Sequence, residues 1–425
     1  MTWVHRLSAE LTEPADVIGG KAHGLATLCR LGLPVPPGFV ITTAACREFL
    51  HSGRLPGDLP DVAPMVSVRS GGAVSMPGMM STVLNVRRPS LLSAVEAVFA
   101  SWDSPRARTY RELNGIPHDG GTAVTVQAMV FGDRDARSGT GVVFSRDPNT
   151  GAPGPYGEVL FQAQGPSVVS GGALTHPLGD LAEREPSVWR SLMVAVSKVE
   201  AHYRDVCHLE FTYESGSLWL LQVRRGGLSG RAAVRAAVDL VDEGVLTREE
   251  ALLRITPGLL RRARTPGLAG AEIVARGTGA SPGVASGRVA TSSERAVRAA
   301  AEGPVILVRP STSPLDLGGL AAAAGVVTAR GGPTSHAAVV ARSMGKPAVV
   351  GVRTLDALPE GTEITIDGSS GEVALGTVAA FTPADDPHLP RLLEWADEVT
   401  GRGSDRSEAD RLTAAQEILG RTAPH

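Results

Sequence analysis

Two spacings of apolar residues divide the first 225 positions of the chain into short helices and strands. Leu25, Leu28 and Leu31 recur at helical spacing after a glycine pair, and Gly32 stands where helices commonly end. Helical spacing returns over 92–114 and 187–205, and the segment 207–224 predicts a hairpin that turns at residues 214–217. Short runs rich in valine and isoleucine predict further strands at 39–43, 65–70, 123–130, 139–148 and 158–163.

The second half of the chain changes character twice. Residues 230–263 carry alanine, leucine, arginine and glutamate at helical spacing, and segments rich in glycine and proline interrupt regular structure after them. From 277 to 375 short strands alternate with helical stretches, which indicates a compact α/β domain. The pattern therefore predicts four segments, namely a mixed region over 1–225, a helical connector and hinge over 226–275, an α/β domain over 276–378 and a polar helical tail over 379–425.

The composition argues against several classes of protein. A length of 425 residues exceeds what one core usually organises, so two or three domains are expected. A net charge of −3 gives no sign of a nucleic-acid or membrane-surface partner. The three cysteines form no CxxC pair, so we expect reduced thiols rather than disulfides or a zinc site. No apolar run is long enough to cross a membrane and the first twenty residues do not resemble a signal peptide, so a cytoplasmic protein is expected.

Two basic residues beside glycines are candidate phosphate ligands. Lys21 follows Gly19 and Gly20 at a predicted helix start, where backbone N–H groups attract anions and glycines let a ligand approach. Arg69 ends a β-rich run and precedes the glycine-rich loop 71–78, which suits a phosphate clamp beside a lid. The alternatives are a surface lysine for Lys21 and a structural ion pair for Arg69.

Three polar residues occupy the predicted hairpin. Gln222 and Arg224 lie two residues apart and therefore share one face, while Glu210 lies on the opposite arm. A buried strand with such residues needs a ligand or a paired network to satisfy them. The carboxylate of Glu210 is a natural Mg²⁺ ligand, and Arg224 can meet a phosphate. The alternative is a solvated edge strand.

The segment GGPTSHAAVVARSMG, residues 331–345, sets a histidine at the start of a predicted helix. Pro333 suits the first turn and Thr334 or Ser335 can cap it, so His336 lies in that turn. The positive end of the helix dipole disfavours an imidazolium there and would stabilise an anion carried on the ring. The segment suits a nucleophilic histidine that carries a phosphoryl group. A helix-capping or core histidine is the alternative.

Seven segments, in order along the chain, resemble the pyruvate, phosphate dikinase family, and more loosely phosphoenolpyruvate synthase and rifampin phosphotransferase. The longest include GGKAHGLATLCRLGLPVPPGFVITT at 19–43 and the run that ends in GGPTSHAAVVARSMGKP at residue 347. The others lie at 66–86, 97–132, 139–151, 156–171 and 208–224. The resemblance covers nearly the whole chain.

The resemblance implies a fold and a set of site residues. The fold is α/β (α+β), with an ATP-grasp-like nucleotide-binding domain over 1–225 followed by a swivelling β/β/α phosphohistidine domain. By match to the family's motifs, His336 is the phosphorylated residue and Glu210 and Gln222 are the Mg²⁺ ligands. The positions that match the family's ATP site and its lid are Lys21, Arg69, Glu158, Glu210, Gln222, Arg224, Gly71, Gly72 and Gly78.

The resemblance also implies a reaction. Enzymes of this family are phosphotransferases with paired acceptors, which cleave ATP to AMP, move the β-phosphoryl group to histidine and carry it to a distant site. For this chain the expected acceptor is a small molecule or a separate acceptor-domain protein, and a homodimer is a further expected assembly. No nucleic-acid or membrane partner is expected.

Three features depart from the family's pattern. The resemblance stops before the C-terminal barrel that binds pyruvate or phosphoenolpyruvate, so we expect pyruvate to leave the phosphohistidine intact. The nucleotide domain of the family has a further segment that this chain lacks between residues 86 and 90. His208 replaces an aspartate, and an imidazole is a poorer Mg²⁺ ligand than a carboxylate; Ser81 and Pro333 also replace the family's Asp and Met. A catalytically degenerate, nucleotide-binding regulatory paralogue is the alternative function.

Overall fold

The computed structural model contains fourteen α-helices and twenty β-strands within the residues that it describes. Those residues are 2–55, 57, 59–74, 76, 79–148, 150–164, 175–226, 228, 230–263, 267–268, 272–332, 335–352, 358–378, 380–381, 387–401 and 406–422.

The helices are α1 (Ala15–Arg30), α2 (Thr43–Ser52), α3 (Leu91–Ala100), α4 (Pro105–Asn114), α5 (Asp180–Arg184), α6 (Pro186–Tyr203), α7 (Gly230–Asp242), α8 (Arg248–Arg254), α9 (Pro257–Ala263), α10 (Ser293–Ala299), α11 (Leu317–Ala322), α12 (His336–Met344), α13 (His388–Thr400) and α14 (Glu408–Thr422). The strands are β1 (Val4–Arg6), β2 (Gly38–Ile41), β3 (Met65–Gly71), β4 (Thr82–Arg87), β5 (Ala123–Ala128), β6 (Gly139–Arg146), β7 (Pro153–Phe161), β8 (His176–Pro177), β9 (Cys207–Glu214), β10 (Ser217–Arg225), β11 (Gly267–Leu268), β12 (Ile273–Arg276), β13 (Thr278–Ser281), β14 (Val284–Ala290), β15 (Val305–Arg309), β16 (Gly325–Thr328), β17 (Ala348–Val350), β18 (Glu363–Asp367), β19 (Glu372–Leu375) and β20 (Ala380–Phe381).

Two five-stranded antiparallel sheets organise the first 225 residues. The first sheet has the order β1-β2-β5-β3-β4, and the second has the order β10-β9-β6-β7-β8. The predicted leucine stripe of α1 is buried, because Leu25 and Leu28 pack into a core shared with α6 and with Phe211 of β9. A separate core, which includes Val95 and Phe99 of α3, fills the other face of the first sheet.

The predicted hairpin forms β9 and β10, and its register pairs Glu210 with Gln222 and His208 with Arg224. The helix predicted after the glycine pair differs in its start, because α1 begins at Ala15 and breaks at Gly19. Gly19 has φ 76° and ψ 150°, a conformation that side-chain-bearing residues rarely adopt. The break gives the helix a second start immediately before Lys21.

An eight-stranded sheet organises the second half, with the order β12-β19-β18-β14-β15-β16-β17-β13. Its central strands β14, β15, β16 and β17 run parallel, and the crossovers between them contain α10, α11 and α12. The alanine-rich face of α12 packs on this sheet, with Ala338, Val340 and Ala341 buried. His336 is the first residue of α12 and follows β16 along the chain.

The predicted tail packs on the predicted connector. Helices α13 and α14 bury Leu392, Trp395 and Leu412 in a core that also contains Val238 of α7 and Leu252 of α8. Strand β12 begins at Ile273, just before the expected boundary at 275, and the four-segment division stays a prediction. Among the described helices, none is both long and apolar enough to span a membrane.

Candidate active site

A cavity of ≈ 1110 Å³ lies between the two five-stranded sheets and reaches the loops of the eight-stranded domain. On the side of the two five-stranded sheets, its walls are formed by the hairpin β9–β10, the start of α1 and the end of β3. Thr312, Ser313, Pro314 and His336 close it from the other side. The cavity therefore brings together side chains from the two ends of the sequence, such as Lys21 and His336.

The glycine pair 19–20 contacts the glycine pair 71–72 at the break in α1. A Cβ atom on Gly19 would lie 1.8 Å from the carbonyl oxygen of Gly71, so no larger residue fits there. The backbone N–H of Gly20 donates to the carbonyl oxygen of Gly72 at 2.9 Å. The contact fixes the end of β3 against the second helix start, and it sets Lys21 at the cavity wall. Gly71 and Gly72 both line the cavity, whereas the predicted ligand Gly78 lies outside the described residues.

Lys21 and Arg69 are adjacent cations in this wall. The pKa of Lys21 is lowered to about 7, mainly by burial and then by the charges of Arg69 and Arg224, while Glu210 opposes the shift. Arg69 is buried and its Nη2 donates to Oε1 of Gln127 and to the Leu221 carbonyl, at 2.5 and 2.8 Å. Its Nε is buried without a hydrogen-bond partner among the described residues. Arg69 is therefore held in place by neutral oxygens, with a donor still to be satisfied.

Glu210, Gln222 and Arg224 form one cluster on the hairpin. Nη2 of Arg224 lies 3.4 Å from Oε1 of Glu210. With its amide oriented to satisfy both partners, the Gln222 oxygen accepts from Nη2 and Nε of Arg224 at 2.7 and 2.6 Å. Burial would raise the pKa of Glu210, but the neighbouring charges, Arg224 foremost, bring it below its usual value. Glu210 is consequently ionised at neutral pH and offers oxygen atoms to the cavity.

His208 stands beside this cluster. Its ring stacks on Phe144 with centroids 4.4 Å apart and planes 8° from parallel. The pKa of His208 is lowered to about 3, mainly by burial and then by the charge of Arg224. Nε2 of His208 is buried and has no hydrogen-bond partner within the described part of the chain. At this position the chain therefore has a neutral imidazole.

His336 faces the cavity from the opposite side, at the N-terminus of α12. Ser335 is the N-cap residue but its side chain makes no capping hydrogen bond, and Pro333 and Thr334 lie outside the described residues. The predicted reduction in basicity is present, but burial is its main cause, and Arg106 contributes to the lowered pKa of His336. Asp316 and a hydrogen bond with the Ser313 backbone oppose it. Nε2 of His336 has no partner among the described residues, so the hydrogen bond belongs to Nδ1 and a lone pair remains on Nε2.

Glu158 does not line the cavity with the other predicted ligands. Its buried carboxylate accepts a hydrogen bond from Thr175 Oγ1 at 2.8 Å and lies against Gly332, four residues before His336. A Cβ atom on Gly332 would lie 1.6 Å from Oε1 of Glu158. Glu158 therefore contacts the loop that carries the histidine, at the boundary between the two halves of the chain.

The donor set suits a Mg²⁺ ion that arrives with a nucleotide. Glu210 and Gln222 offer oxygen ligands, and phosphate oxygens commonly complete the coordination of Mg²⁺. In the described ranges no group of three or more His, Cys, Asp or Glu side chains is placed to bind a metal by itself. The residues present thus fit a metal shared with a ligand rather than a cage built by the protein alone.

The sequence interpretation missed several residues around His336. Met76 and Met80 line the cavity, and Met79 and Tyr110 enter the same core as Ala337 and Ala338 of α12. Nε of Arg106 donates to the Met79 carbonyl at 2.9 Å, which holds this arginine close to His336. Only Asp316 had a local signal, since Ser313 followed by Asp three residues later is a capping-box pattern.

Comparison with known proteins gives two domain-family matches. The AMP/ATP-binding domain of pyruvate phosphate dikinase matches residues 15–64 and 57–176, and the mobile domain of PEP-utilising enzymes matches residues 301–371. Lys21, Arg69 and Glu158 lie in the first match and His336 lies in the second. The hairpin with Glu210 lies between the two matched regions.

Pyruvate, phosphate dikinases are also similar over most of the chain. That of Rhizobium meliloti (strain 1021) is 35% identical over 97% of this chain and 62% of its own length. That of Clostridium symbiosum is 34% identical over 93% of this chain and 60% of its own length. Pyruvate, phosphate dikinase 1, chloroplastic, of Oryza sativa subsp. japonica is 36% identical over 90% and 54%. The chain therefore spans about three fifths of the length of these relatives.

These matches confirm the predicted resemblance and the mixed α/β fold class, with a nucleotide-binding domain before a mobile domain. A chain of the aconitase X structure from Thermococcus kodakaraensis covers 24% of this chain at 21% identity with a TM-score of 0.19, which is too low to carry an argument.

Proposed function

Because the chain belongs to the pyruvate, phosphate dikinase family, we propose that it is an ATP-dependent phosphotransferase with His336 as its phosphoryl carrier. ATP binds in the cavity between the two five-stranded sheets. Nε2 of His336 attacks the β-phosphorus, the bond to AMP breaks, and the histidine carries a pyrophosphoryl group. Transfer of its terminal phosphoryl group to inorganic phosphate or water then leaves a phosphohistidine. The phosphohistidine then passes its group to an acceptor.

The observation that carries this proposal is the shared cavity. His336 lines the same space as Lys21, Arg69, Glu210 and Arg224, although it belongs to a different half of the chain. A core histidine of the eight-stranded domain would have no reason to face these cations. The arrangement instead suits a nucleophile docked next to a polyphosphate.

Each chemical requirement of the step has a residue in the cavity. The lowered pKa keeps His336 neutral at pH 7, and the Nδ1 hydrogen bond leaves the Nε2 lone pair free to attack. Lys21, Arg69 and Arg224 supply charge against the phosphates and against the charge that develops on the leaving group. Glu210 and Gln222 would hold Mg²⁺, which when bound neutralises phosphate charge.

The purine end of the nucleotide has an apolar wall. The cavity continues along the chain segment after β5, where Ala128, Met129 and Val130 line it, and Leu221 faces them from β10. Apolar side chains with adjacent backbone groups are the usual surroundings of an adenine ring. The cavity therefore has both apolar and cationic lining, as ATP requires.

The acceptor must reach a histidine that the docked arrangement encloses. Either a small molecule enters the cavity after AMP leaves, or the eight-stranded domain rotates away and offers His336 elsewhere. The predicted connector and hinge over 226–275 lies only partly within the described residues, so the proposed rotation rests on the swivelling domain of the family. We propose a small-molecule acceptor or a separate acceptor-domain protein.

The test is incubation of the purified chain with Mg²⁺ and ATP labelled at the β-phosphorus. We expect an acid-labile, base-stable label and release of AMP, because phosphoramidates hydrolyse in acid whereas phosphoserine does not. His336→Ala should lose the label and still bind ATP. His51→Ala, at an exposed histidine of α2, is the matched control and should label normally.

Three outcomes would contradict the assignment. A label that survives in the His336→Ala variant places the phosphoryl group elsewhere, and a label from γ- but not β-labelled ATP indicates an ordinary kinase. ATP binding without any label would favour the degenerate regulatory paralogue. A chase of the labelled protein with pyruvate, inorganic phosphate, water and cell extract then identifies the acceptor, and we expect pyruvate alone to leave the label in place.

A further inference from the structure

We propose that Asp316 is the positioning residue for His336, because its buried carboxylate holds the Ser313 turn against the imidazole and offsets the positive charge that the ring gains with the phosphoryl group. This inference rests on the proposed function of His336. It assigns a role to a side chain that does not line the cavity and that was not among the site residues predicted from the sequence.

Both carboxylate oxygens of Asp316 accept hydrogen bonds. Oδ2 accepts from the backbone N–H of Ser313 at 2.8 Å and from its hydroxyl at 3.2 Å. Oδ1 accepts from the Ser293 hydroxyl at 2.8 Å, and Nε of Arg309 lies 3.6 Å from the same atom. Asp316 is 7% exposed, so these contacts are shielded from water. The side chain therefore fixes the Ser313 turn rather than filling space.

A close backbone approach keeps Asp316 within reach of Ser293. A Cβ atom on Gly319, in α11, would lie 2.6 Å from the Cα atom of Ser293. Glycine at this position lets α11 rest directly on the start of α10. The short distance between the two helices allows the Ser293 hydroxyl to reach Oδ1, and it leaves Oδ2 for Ser313.

Among the described residues, the hydrogen bond that acts on the His336 ring comes from the Ser313 backbone. The backbone of Ser313 interacts with the imidazole, and because Nε2 has no partner we assign this contact to Nδ1. Ser313 and His336 both line the cavity. Nδ1–H donation to a backbone acceptor fixes the tautomer and the ring orientation, and it leaves Nε2 as the nucleophile. The chain of contacts thus runs from Asp316 through Ser313 to His336.

Phosphoryl transfer changes the charge on this ring. Nε2 donates its lone pair to phosphorus, the bond to AMP breaks, and Nδ1 keeps its proton, so the ring becomes cationic while the phosphoryl oxygens are anionic. Asp316 favours a positive ring and Arg106 disfavours one, and these are the two charged groups that act on His336 most strongly. Arg309 compensates the Asp316 charge in part, so the carboxylate acts mainly through nearby contacts.

The experiment compares Asp316→Asn and Asp316→Ala with the wild-type chain. The asparagine can keep the hydrogen bonds to Ser313 and Ser293 but removes the charge, while alanine removes both. We expect the labelling rate of His336 to fall about tenfold in D316N and about a hundredfold in D316A, with ATP affinity unchanged. Glu250→Gln is the matched control, since Thr247 and Glu250 form the same capping box on α8, away from the cavity.

A second measurement separates positioning from mere stability. Nitrogen-15 NMR of labelled histidine reports the tautomer and pKa of His336 in the ligand-free protein, with H336A used for assignment. We expect a lower pKa for His336 in D316N and a mixed tautomer in D316A. The same pKa, tautomer and labelling rate in D316N as in wild type would overturn the inference and leave Asp316 as a helix cap. Failure of wild-type labelling would instead refute the proposed function, and the NMR result would still test Asp316.

Discussion

Replacing Lys21 with methionine should stabilise the ligand-free protein and at the same time remove its response to ATP. The ammonium of Lys21 is placed among the cations Arg69 and Arg224, and burial is the main reason that its pKa falls from 10.5 to about 7. Each tenfold change in proton affinity corresponds to about 1.4 kcal/mol. The charged form of Lys21 therefore opposes folding by about 4 kcal/mol at pH 7 and by about 5 kcal/mol at lower pH, and methionine keeps the apolar stem without that cost.

The pH dependence has a definite sign. Between about pH 7 and pH 10.5 the unfolded chain binds a proton at Lys21 that the native protein has lost, so the stability of the wild type rises with pH across this window. The advantage of K21M should be largest at and below pH 7 and should disappear near pH 10.5. Urea unfolding at several pH values measures it. Lys198→Met, at an exposed lysine of α6, is the control and should show neither effect.

Nucleotide binding should reverse the shift. Phosphate oxygens beside Lys21 favour the ammonium, so a non-hydrolysable ATP analogue should draw nearly one proton from solution at pH 8 and almost none at pH 6. Calorimetry in buffers of different ionisation enthalpy measures this uptake, and subtraction of the K21M value removes the proton that the nucleotide itself binds. Equal uptake by wild type and K21M, or destabilisation of K21M at pH 7, would refute the placement of Lys21 at a phosphate.

Two further substitutions test the two sides of the cavity. Arg69→Ala should slow labelling of His336 by roughly ten- to a hundredfold through loss of a charge-assisted contact, and Arg69→Lys should recover only part of it; a variant that melts early but labels at the wild-type rate would favour a structural role for Arg69. Gly332→Ala should place a Cβ atom 1.6 Å from Oε1 of Glu158 and push the histidine loop away, so that labelling falls at least about tenfold while ATP still binds. Adding Glu158→Ala removes the obstructing carboxylate and should restore part of the rate, and absence of any effect of Gly332→Ala would contradict the docked arrangement.

Local patterns in the sequence were sufficient for the elements that carry the site. Alternation along 207–224 predicts the hairpin, because a strand places every second side chain on one face, and its register indeed brings Glu210 opposite Gln222. The glycine pair before Lys21 predicts a helix start, and the backbone supplies one through the break at Gly19. The sequence also predicted the start of α12, and the helix begins at His336 although the N-cap residue Ser335 makes no side-chain capping hydrogen bond.

Contacts between distant segments could not be predicted in this way. The packing of Glu158 on Gly332, of Met79 on the α12 core and of Ser293 on Asp316 depends on how the halves or helices approach each other, which no local periodicity specifies. The main cause of the lowered pKa of His336 is also a tertiary effect, since burial exceeds the other influences. Helix position alone suggested the direction of that shift but not its cause.

The division of charged groups between the two halves bears on how a carrier histidine can be both loaded and released. Lys21, Arg69 and Arg224 belong to the nucleotide half, so on the proposed reaction they stabilise the phosphates only while His336 is docked. Asp316 and Ser313 belong to the same domain as His336 and would travel with it. On the proposed reaction, the anionic phosphohistidine is attracted to these three cations after AMP leaves. The domain that carries His336 must overcome this attraction to move away. Salt and incoming nucleotide both weaken it. On this proposal Asp316 continues to favour a positive charge on the phosphorylated ring after His336 has moved away from those cations. Substitutions in the nucleotide half should therefore affect loading alone. Asp316→Asn should also lengthen the lifetime of the phosphohistidine after nucleotide is removed, because loss of the carboxylate favours the deprotonated ring, which resists hydrolysis.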